Sequence, residues 1–358
     1  MSKLPLAVIL WALKSPLRFW NVMRLSWKFS SALKKLERHQ KKENLCVPPL
    51  LIISSTAKCN LSCTGCYNKP YPQRDEMTTE HLDSVIAQSK ILGTFFYVIA
   101  GGEPLLRKDL FKLLARHKDV VFFLYTNGML IDEIIAKKLS RLNNVATMVS
   151  IEGFQRETDN RRGNGVYKKV LHAIKIMHKH DLFFGFSATV SRINVDTVIK
   201  DEFFEDMVGN GCRMGTYVDY IPCDKGDEFI LTDEERARLR SKILEWQKIK
   251  NFLLFQMPED EHALAGKCLS AGNGFLHITS DGYVEPCPFV HYAAENIKDK
   301  SFREILYSPF LRALREKESM FSGGKLGCGL FENLSEVSKI ADEYNAVDTL
   351  KKETIWVK

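Results

Sequence analysis

The chain of 358 residues lacks a long apolar run. A helix that crosses a bilayer needs about 20 mostly apolar residues, and the longest candidate, residues 4–13, has only the length of the apolar part of a signal peptide. The charged segment 14–18 follows it, where a signal peptide would offer small residues for cleavage. The sequence therefore predicts neither a spanning helix nor a cleaved signal. The cytoplasmic location that we expect rests on the reduced cysteines described below.

Acidic residues are scarce at the start of the chain, and a basic excess is missing from the rest. Residues 1–43 carry ten lysines and arginines against two acids, Glu37 and Glu43, which is a net charge of +8. The remaining 315 residues hold 41 basic and 42 acidic groups. Because nucleic-acid binders carry basic patches on the binding domain itself, this balance disfavours a nucleic-acid partner. With 45% hydrophobic and 27% charged residues, the chain as a whole has a globular composition.

The basic segment predicts an amphipathic helix from Pro16 to about Gln40, since it contains neither glycine nor a further proline. At 100° per residue, one arc of this helix is aromatic and apolar: Phe19, Trp20, Met23 and Trp27. The opposite side is basic: Lys14, Arg18, Arg24 and Lys28. One interpretation is an interfacial helix on an anionic membrane surface, through residues 1–43. The other is a helix docked on the protein's own body or on a partner.

After this arm, apolar strands alternate with helices, which is typical of βαβ units and a parallel sheet. Strands are predicted at 50–55, 95–100, 120–125, 146–151, 183–190 and 216–221. Helices are predicted at 78–92, 108–117, 131–142, 166–180, 196–208 and 232–248. Six such units are too few for a closed eight-stranded barrel, so we expect an α/β fold with a partial, open (β/α)6 TIM-like barrel.

The pattern changes after residue 250. A hairpin is predicted around Asp281-Gly282, a helix at 301–316, and polar helix in the last 28 residues. These patterns divide the chain into an N-terminal arm (1–45), a core (46–250) and a C-terminal domain (251–358).

Three of the nine cysteines, Cys59, Cys63 and Cys66, lie within eight residues. A chain of this size needs no disulfide framework, so reduced thiolates are the better interpretation. Such thiolates hold iron–sulfur clusters, and three local ligands would leave one iron of a four-iron cluster open. Zinc is the alternative, but it would favour a fourth Cys or His at regular spacing, and Asn60 and Tyr67 are poor candidates.

Small polar motifs follow the next three predicted strands. They are Gly101-Gly102-Glu103-Pro104, Thr126-Asn127-Gly128 and Ser150-Ile151-Glu152-Gly153. The carboxyl ends of parallel strands meet at one edge of a sheet, where ligands bind. A glycine pair allows a backbone to approach a ligand closely, and carbonyls and a carboxylate accept hydrogen bonds from an ammonium group.

The Cys59-x3-Cys63-x2-Cys66 loop, the GGEP motif and the fourth strand, in this order, resemble the radical S-adenosylmethionine (SAM) superfamily over about residues 50–225. The resemblance implies that Cys59, Cys63 and Cys66 bind a [4Fe–4S] cluster whose open iron takes the amino and carboxylate groups of SAM. It also implies reductive cleavage of SAM to a 5′-deoxyadenosyl radical that abstracts hydrogen from a substrate. An electron donor such as flavodoxin or ferredoxin would supply the electron.

The resemblance also assigns roles to single residues. Gly101, Gly102 and Glu103 would hold the SAM amino group, and Thr126 and Asn127 would line its ribose. Ser150 and Arg162 would bind its carboxylate, because an arginine fork suits a carboxylate; taken alone, Arg161 and Arg162 could equally be a solvated pair. One position departs from the family, which usually has an aromatic residue where this chain has Gly65.

Cys268, Cys287 and Cys328 resemble the first half of the SPASM domain and the shorter Twitch domain, which carry auxiliary iron–sulfur clusters. The later run of closely spaced cysteines is absent, so one auxiliary [4Fe–4S] cluster is expected. Its fourth ligand could be Cys223, Cys212 or a substrate. The alternative is that these are buried apolar cysteines.

The sequence thus predicts a radical SAM enzyme, and the arm suggests a lipid or membrane-associated substrate with the enzyme peripheral at the inner face of the membrane. The rival substrate is a ribosomally made peptide, although no leader-binding winged-helix domain is apparent. A non-catalytic iron–sulfur electron carrier or redox sensor is the second rival. Substrate-facing candidates stand at the end of the sixth strand: Tyr217, Asp219, Cys223 and Asp224.

Overall fold

The computed structural model describes residues 4–72, 74–222, 227–249, 251–260, 263, 266, 268–321 and 328–351. Cys223, Asp224 and residues 322–327, which precede Cys328, therefore lie outside the described residues. The chain divides into two compact units. The first unit comprises Met1–Lys28, Leu61–Gly65 and Leu110–Asp260, and the second comprises Phe29–Asn60, Cys66–Asp109 and Glu261–Lys358.

Helices and strands alternate through most of the chain. The helices are α1 Leu6–Ala12, α2 Pro16–Glu43, α3 Thr79–Leu92, α4 Leu110–Arg116, α5 Glu133–Ser140, α6 Gln155–Arg162, α7 Val166–Lys179, α8 Val195–Val198, α9 Asp201–Gly209, α10 Asp233–Trp246, α11 Phe302–Leu306, α12 Pro309–Glu316, α13 Gly329–Glu332 and α14 Leu334–Glu343. The strands are β1 Leu50–Thr56, β2 Phe96–Gly101, β3 Val121–Thr126, β4 Val145–Ser150, β5 Phe184–Val190, β6 Met214–Asp219, β7 Leu253–Met257, β8 Phe275–Ile278, β9 Val284–Glu285, β10 Tyr292–Ala293 and β11 Val347–Asp348.

The strands of each unit follow one another in a simple order. In the first unit they run β7-β6-β5-β4-β3, and each neighbouring pair is parallel. In the second unit the order is β2-β1-β8-β9, where β9 alone is antiparallel to its neighbour. The six predicted βα units are confirmed, because a helix follows each of β1 to β6.

Buried aromatic and aliphatic side chains hold these layers together. In the first unit Phe122, Phe186 and Phe203 are fully buried, as are Leu51 and Tyr97 in the second. Each such side chain contributes about 1.5–3 kcal/mol when it leaves water. The sequences of the parallel strands are nearly continuous apolar runs, because helices cover the outer face of the sheet and both faces of each strand are therefore buried.

Local signals fix where several helices begin. Thr78 caps α3 by accepting from the backbone of His81, and Thr232 and Glu235 form a capping box at α10. Pro309 explains why the predicted helix at 301–316 is two helices, α11 and α12. A proline has no amide hydrogen and disfavours helical geometry in the preceding residue, Ser308.

Some predicted elements differ from the structure. The sixth strand begins two residues earlier than expected, at Met214, and α6 and β7 were not predicted. Of the expected polar helix in the last 28 residues, the described part contains α14, which is followed by the short strand β11. Residues 352–358 lie outside the described residues. α6 escapes prediction because its sequence, QRETDNRR, has no apolar periodicity.

The N-terminal arm is helical, as predicted, and its helix α2 extends to Glu43, with the additional short helix α1 before it. Among the residues that the structure describes, no helix is both long and apolar enough to cross a bilayer.

Candidate active site

The cysteine loop begins where β1 ends, and two side chains of the second unit fix this point. Glu76 accepts hydrogen bonds from the Thr56 hydroxyl at 2.7 Å and from the Ala57 amide at 2.9 Å. Asn68 donates its side-chain amide to the Ala57 carbonyl at 3.0 Å. The chain therefore leaves the strand in a defined direction before Cys59. Sequence reasoning missed Glu76 and Asn68, since neither belongs to a recognisable motif.

The glycine pair after β2 packs its backbone directly on the start of this loop. The Gly102 amide donates to the Thr56 carbonyl at 2.7 Å, and the Glu103 amide donates to the Lys58 carbonyl at 2.8 Å. A Cβ atom on Gly102 would lie 2.1 Å from the Lys58 oxygen, and one on Gly101 would lie 2.5 Å from the Thr56 oxygen. No side chain fits in either place, which explains both glycines.

Glu103 is fully buried, and its carboxylate accepts from the Leu105 amide at 3.0 Å. A cationic group such as an ammonium is a favourable neighbour for a buried carboxylate, because charge-assisted hydrogen bonds are strong. This agrees with the predicted role of Glu103 towards the SAM amino group, which remains a prediction.

In the first unit, α6 holds the middle of the cysteine loop. The Thr64 amide donates to the Arg161 carbonyl at 2.9 Å, and Nη1 of Arg162 lies 4.0 Å from the Cys63 sulfur. Cys63 is buried, whereas Cys59 is exposed and Cys66 is half-buried. A guanidinium beside a buried sulfur stabilises the thiolate over the thiol.

Glu152 is the centre of this arrangement. Its Oε1 accepts from Nη1 of Arg161 at 2.6 Å and from Nε of Arg162 at 2.8 Å, while Oε2 accepts from the Thr189 amide at 2.9 Å. Glu152 is fully buried, and the side chains of Arg161 and Arg162 are 19% and 10% exposed. The two arginines are therefore not a solvated pair.

Two opposing effects act on the Glu152 carboxyl. Burial by itself raises its pKa, but the charges of Arg161 and Arg162 outweigh burial and hold the pKa below its ordinary value. The carboxylate stays ionised and fixes both guanidinium groups. The motif Ser150-Ile151-Glu152-Gly153 includes Glu152, but the sequence analysis predicted no role for this residue. Its position ten residues before Arg162 could have indicated an ion pair.

The remaining predicted SAM-site residues stand at strand ends. Ser150 is the last residue of β4 and pairs in register with Ser187 of β5. Thr126 ends β3, and its hydroxyl accepts from the Gly128 amide, while Asn127 accepts from the Met129 amide. These side chains shape their own turn, and their predicted contact with SAM remains a prediction.

Tyr220 explains the departure at Gly65. The glycine has a φ of +63°, and an added Cβ atom would lie 2.6 Å from Cε2 of Tyr220. The aromatic ring beside this part of the loop is thus supplied by the residue after β6, within the same unit. Gly65 is required by both backbone conformation and space.

Restoring the aromatic residue usual for the family should therefore damage this protein. We expect Gly65→Tyr to lower stability by about 1–3 kcal/mol through backbone strain and displacement of Tyr220. Thermal unfolding of the anaerobic protein measures the change. Adding Tyr220→Ala should recover part of the loss, whereas Tyr220→Phe, which keeps the ring, should not. Unchanged stability of Gly65→Tyr would contradict the assignment.

Two proposed substrate-facing residues point elsewhere. Tyr217 is fully buried, its ring contacts those of Phe186 and Trp246, and its hydroxyl donates to the Val198 carbonyl. Asp219 lies on the same side of β6 and accepts from Nε of Arg236 at 3.1 Å.

Both side chains therefore face the helices. Strand residues alternate between the two faces of a sheet, so Thr216, Val218 and Tyr220 point to the opposite face. The prediction was wrong for Tyr217 and Asp219, and it did not include Tyr220, whose ring lies beside Gly65 of the cysteine loop. Burial raises the pKa of Asp219 to about 6, against the opposing effects of a hydrogen bond from Gln256 and of the Arg236 charge.

The second cysteine set lies in the second unit. The predicted hairpin, β8–β9, returns the chain towards the Cys268 loop, where the Ala271 amide donates to the Pro286 carbonyl, next to Cys287, at 3.0 Å. Cys287 is buried, as is Cys328 at the start of α13, and the Cys268 thiol contacts the Ser270 hydroxyl at 3.1 Å.

Cys46, which the sequence did not single out, reaches this same loop. Its sulfur lies 3.2 Å from the Gly272 carbonyl oxygen. Cys212, a predicted alternative ligand, is instead buried in the first unit, and burial together with Asp206 raises the pKa of its thiol strongly. Its place in the first unit is that of a buried apolar cysteine.

Within the described part of the chain, no three side chains of His, Cys, Asp or Glu are gathered closely enough to hold a metal ion. The donor chemistry nevertheless fits an iron–sulfur cluster: three thiols share one short loop, and Arg162 places positive charge beside Cys63.

Comparison with known proteins decides the family. A family model described as the radical SAM superfamily matches residues 53–208, and one described as an iron–sulfur cluster-binding domain, SPASM, matches residues 268–326. This chain belongs to the radical SAM superfamily. It is therefore an enzyme of that superfamily with a C-terminal SPASM domain. The SPASM match includes Cys268 and Cys287 and ends just before Cys328.

Two curated relatives span most of the chain. The "AdoMet-dependent heme synthase" of Methanosarcina barkeri is 28% identical over 80% of this chain and 88% of its own length. The "PqqA peptide cyclase" of Gluconobacter oxydans is 26% identical over 72% of this chain and 74% of its own length.

Among solved structures, Streptococcus suis SuiB bound to its precursor peptide SuiA has a TM-score of 0.67 at 18% identity, over 84% of this chain and 74% of that chain. This likeness concerns the fold, and together with the six βα units it confirms the predicted partial barrel. The predicted enzyme class, [4Fe–4S] cluster, SAM and auxiliary cluster are likewise confirmed. When bound, cluster and SAM supply the radical that removes hydrogen from a substrate.

Proposed function

We propose that this radical SAM enzyme modifies a ribosomally made peptide. The observation that carries the proposal is the match to a peptide cyclase over most of both chains, with both iron–sulfur domains present. The lipid substrate first suggested by the basic arm has no such support, because neither of the two curated relatives above is described as acting on a lipid.

A tetrapyrrole is the second candidate substrate. It is favoured by the similarity to a haem synthase, which covers 88% of that relative. A peptide and a tetrapyrrole differ in size and in absorbance, so one experiment separates them.

The test uses the full chain with its clusters reconstituted anaerobically, SAM and a reductant. 5′-Deoxyadenosine formation above a no-enzyme control is expected, and its absence with intact clusters would overturn radical chemistry. Peptides encoded beside the gene are then supplied as substrates and analysed by mass spectrometry. A SAM-dependent mass change in one of them supports a peptide. Conversion of an iron porphyrin precursor, with all peptides unchanged, would overturn that choice in favour of the tetrapyrrole.

We assign the cofactor ligands as the resemblance implies. Cys59, Cys63 and Cys66 would hold the SAM cluster, supported by their common loop and by Arg162 beside Cys63. The SAM contacts would be those predicted: Gly101, Gly102, Glu103, Thr126, Asn127, Ser150 and Arg162. Cys268, Cys287 and Cys328 would hold the auxiliary cluster, within a C-terminal domain of residues 251–358 that follows the arm (1–45) and the core (46–250).

Iron content tests the auxiliary ligands. We expect Cys268→Ala to lose part of the bound iron while the SAM cluster remains, because the two cysteine sets are separate in the sequence. Cys212→Ala is the matched control, since this buried thiol should not bind iron and its variant should keep the full amount. Full iron in Cys268→Ala would show that the assignment is mistaken.

A flavodoxin or ferredoxin would deliver the electron, as superfamily chemistry requires a reductant. We also propose that the enzyme works at the inner, anionic surface of a membrane, which the +8 charge of residues 1–43 would favour. If so, binding to anionic vesicles must weaken as the ionic strength rises.

A further inference from the structure

One side of the N-terminal helices is attached to the first unit. The indole Nε1 of Trp11 donates to the Asp181 carbonyl at 2.9 Å, and its ring meets that of Phe183 edge to face. The Asp181 carboxylate in turn pairs with Lys14 and Arg18. These basic groups are thus engaged by the protein itself.

The attachment continues along α2. The side-chain amide of Asn21 donates to the Asn143 carbonyl at 2.8 Å, and Arg24 donates to the Lys118 carbonyl at 2.8 Å. Val22 and Leu25 are buried. The first half of α2 is therefore docked on the body, which is the second of the two interpretations of its sequence pattern.

Docking leaves a second apolar side of the same helices uncovered. Trp20, Met23 and Trp27, spaced by three and four residues, share one side of α2, and they are 70%, 43% and 67% exposed. Before them, Leu10, Leu13 and Leu17 are 46%, 63% and 77% exposed. These six large apolar side chains lie within 18 residues and are exposed, so they contribute little to the fold. A cluster of exposed apolar side chains marks an interaction site.

The charge beside this patch suits an anionic surface. Every charged residue in 1–36 is basic, because the first acidic residue of the chain is Glu37. The basic groups described above are engaged by the first unit, so the basic group that the structure places at the patch itself is Lys28. Lys28 places its ammonium 5.4 Å from the centre of the Trp27 ring. Tryptophan and leucine on one side with lysine beside them are the composition of helices that lie in a membrane interface.

We infer that this Leu/Trp patch (Leu10, Leu13, Leu17, Trp20, Met23 and Trp27) inserts into the headgroup region of an anionic bilayer while the opposite side stays docked on the first unit. The arm would then hold the enzyme in a fixed orientation at the membrane and would not act as a flexible tether, because the helices that bind the membrane are docked on the first unit. This inference deepens the membrane part of the proposed function and is independent of the peptide part.

The test compares two double variants of the full-length reconstituted enzyme. Trp20→Ser with Trp27→Ser removes the aromatic part of the patch. Ile91→Ser with Ile134→Ser is the matched control, because these isoleucines are 66% and 65% exposed elsewhere on the protein. Binding is measured by co-sedimentation with vesicles containing phosphatidylglycerol and with pure phosphatidylcholine vesicles.

We expect the wild type and the isoleucine variant to bind the phosphatidylglycerol vesicles equally, and the tryptophan variant to bind at least about tenfold more weakly, since two large apolar contacts are lost. Brominated lipids should quench the tryptophan fluorescence of the wild type. Trp11 and Trp246 are buried, so among the described tryptophans Trp20 and Trp27 are the accessible ones.

Three results would overturn the inference. They are equal binding of the tryptophan variant, no preference of the wild type for anionic vesicles, or a wild-type dimer that the tryptophan changes dissociate without any vesicle binding. The last would assign the patch to a second copy of the chain. 5′-Deoxyadenosine formation without vesicles should be the same in all three proteins. A loss of radical chemistry is therefore distinguishable from a loss of membrane binding.

Discussion

Alanine at Cys59, Cys63 or Cys66, one at a time, will reduce 5′-deoxyadenosine formation from SAM to the background of the assay. Three thiolates are the minimum that holds a four-iron cluster while leaving one iron open for SAM, so no ligand is dispensable. The measurement is chromatographic quantification of 5′-deoxyadenosine, with iron and sulfide content determined on the same anaerobic samples.

Cys212→Ala again provides the matched comparison. Cys212 is buried in the first unit, and its thiol is held protonated by burial, so this change should leave 5′-deoxyadenosine formation intact apart from a modest loss of stability. A loop variant that retained both its iron and its rate would show that the loop does not hold the catalytic cluster.

The order of strands and helices was predictable because each strand is an apolar run of ordinary length followed by a periodic helix. The face of the sheet to which an individual side chain points was harder to predict. Tyr217 and Tyr220 both stand near the end of β6, yet Tyr217 packs under the helices and Tyr220 lies against Gly65. Alternation places the two tyrosines on opposite faces of the sheet, but the sequence does not show which face the helices cover, because both faces of this strand carry apolar residues.

The arm shows a similar limit. Its helix and its two sides were visible in the sequence, but the pattern could not say which side the body covers. The structure covers Val22 and Leu25 and leaves Trp20 and Trp27 exposed. Long-range contacts such as Trp11 with Asp181 decide the outcome, and residues so far apart in sequence carry no shared local signal.

Glu152→Gln will destabilise the protein by about 3–5 kcal/mol, the usual cost of removing one partner of a buried ion pair. The change leaves the guanidinium groups of Arg161 and Arg162 without their common carboxylate, in surroundings where both are mostly buried. The loss should appear in anaerobic urea unfolding. Because Arg162 lies beside Cys63, iron occupancy should fall as well.

The pH dependence gives this prediction a second readout. The pKa of Glu152 is lower in the folded protein than in the unfolded chain, so its contribution to stability is complete above the unfolded value of about 4.3 and is lost as the pH falls through the folded value. The wild type should therefore lose stability on acidification more steeply than Glu152→Gln.

Glu133→Gln is the control for this reasoning, since Glu133 also pairs with two cationic partners, Lys179 and His180, but is 53% exposed. Exposed pairs are worth at most about 1 kcal/mol. If both variants lost equally little stability, Glu152 would not be the residue that organises the arginines. If Glu152→Gln alone lowered the free energy of unfolding strongly, the cause would be the burial of the charge cluster. The position of Arg162 next to the cysteine loop would then depend on the Glu152 carboxylate, for which the sequence motif predicts no role.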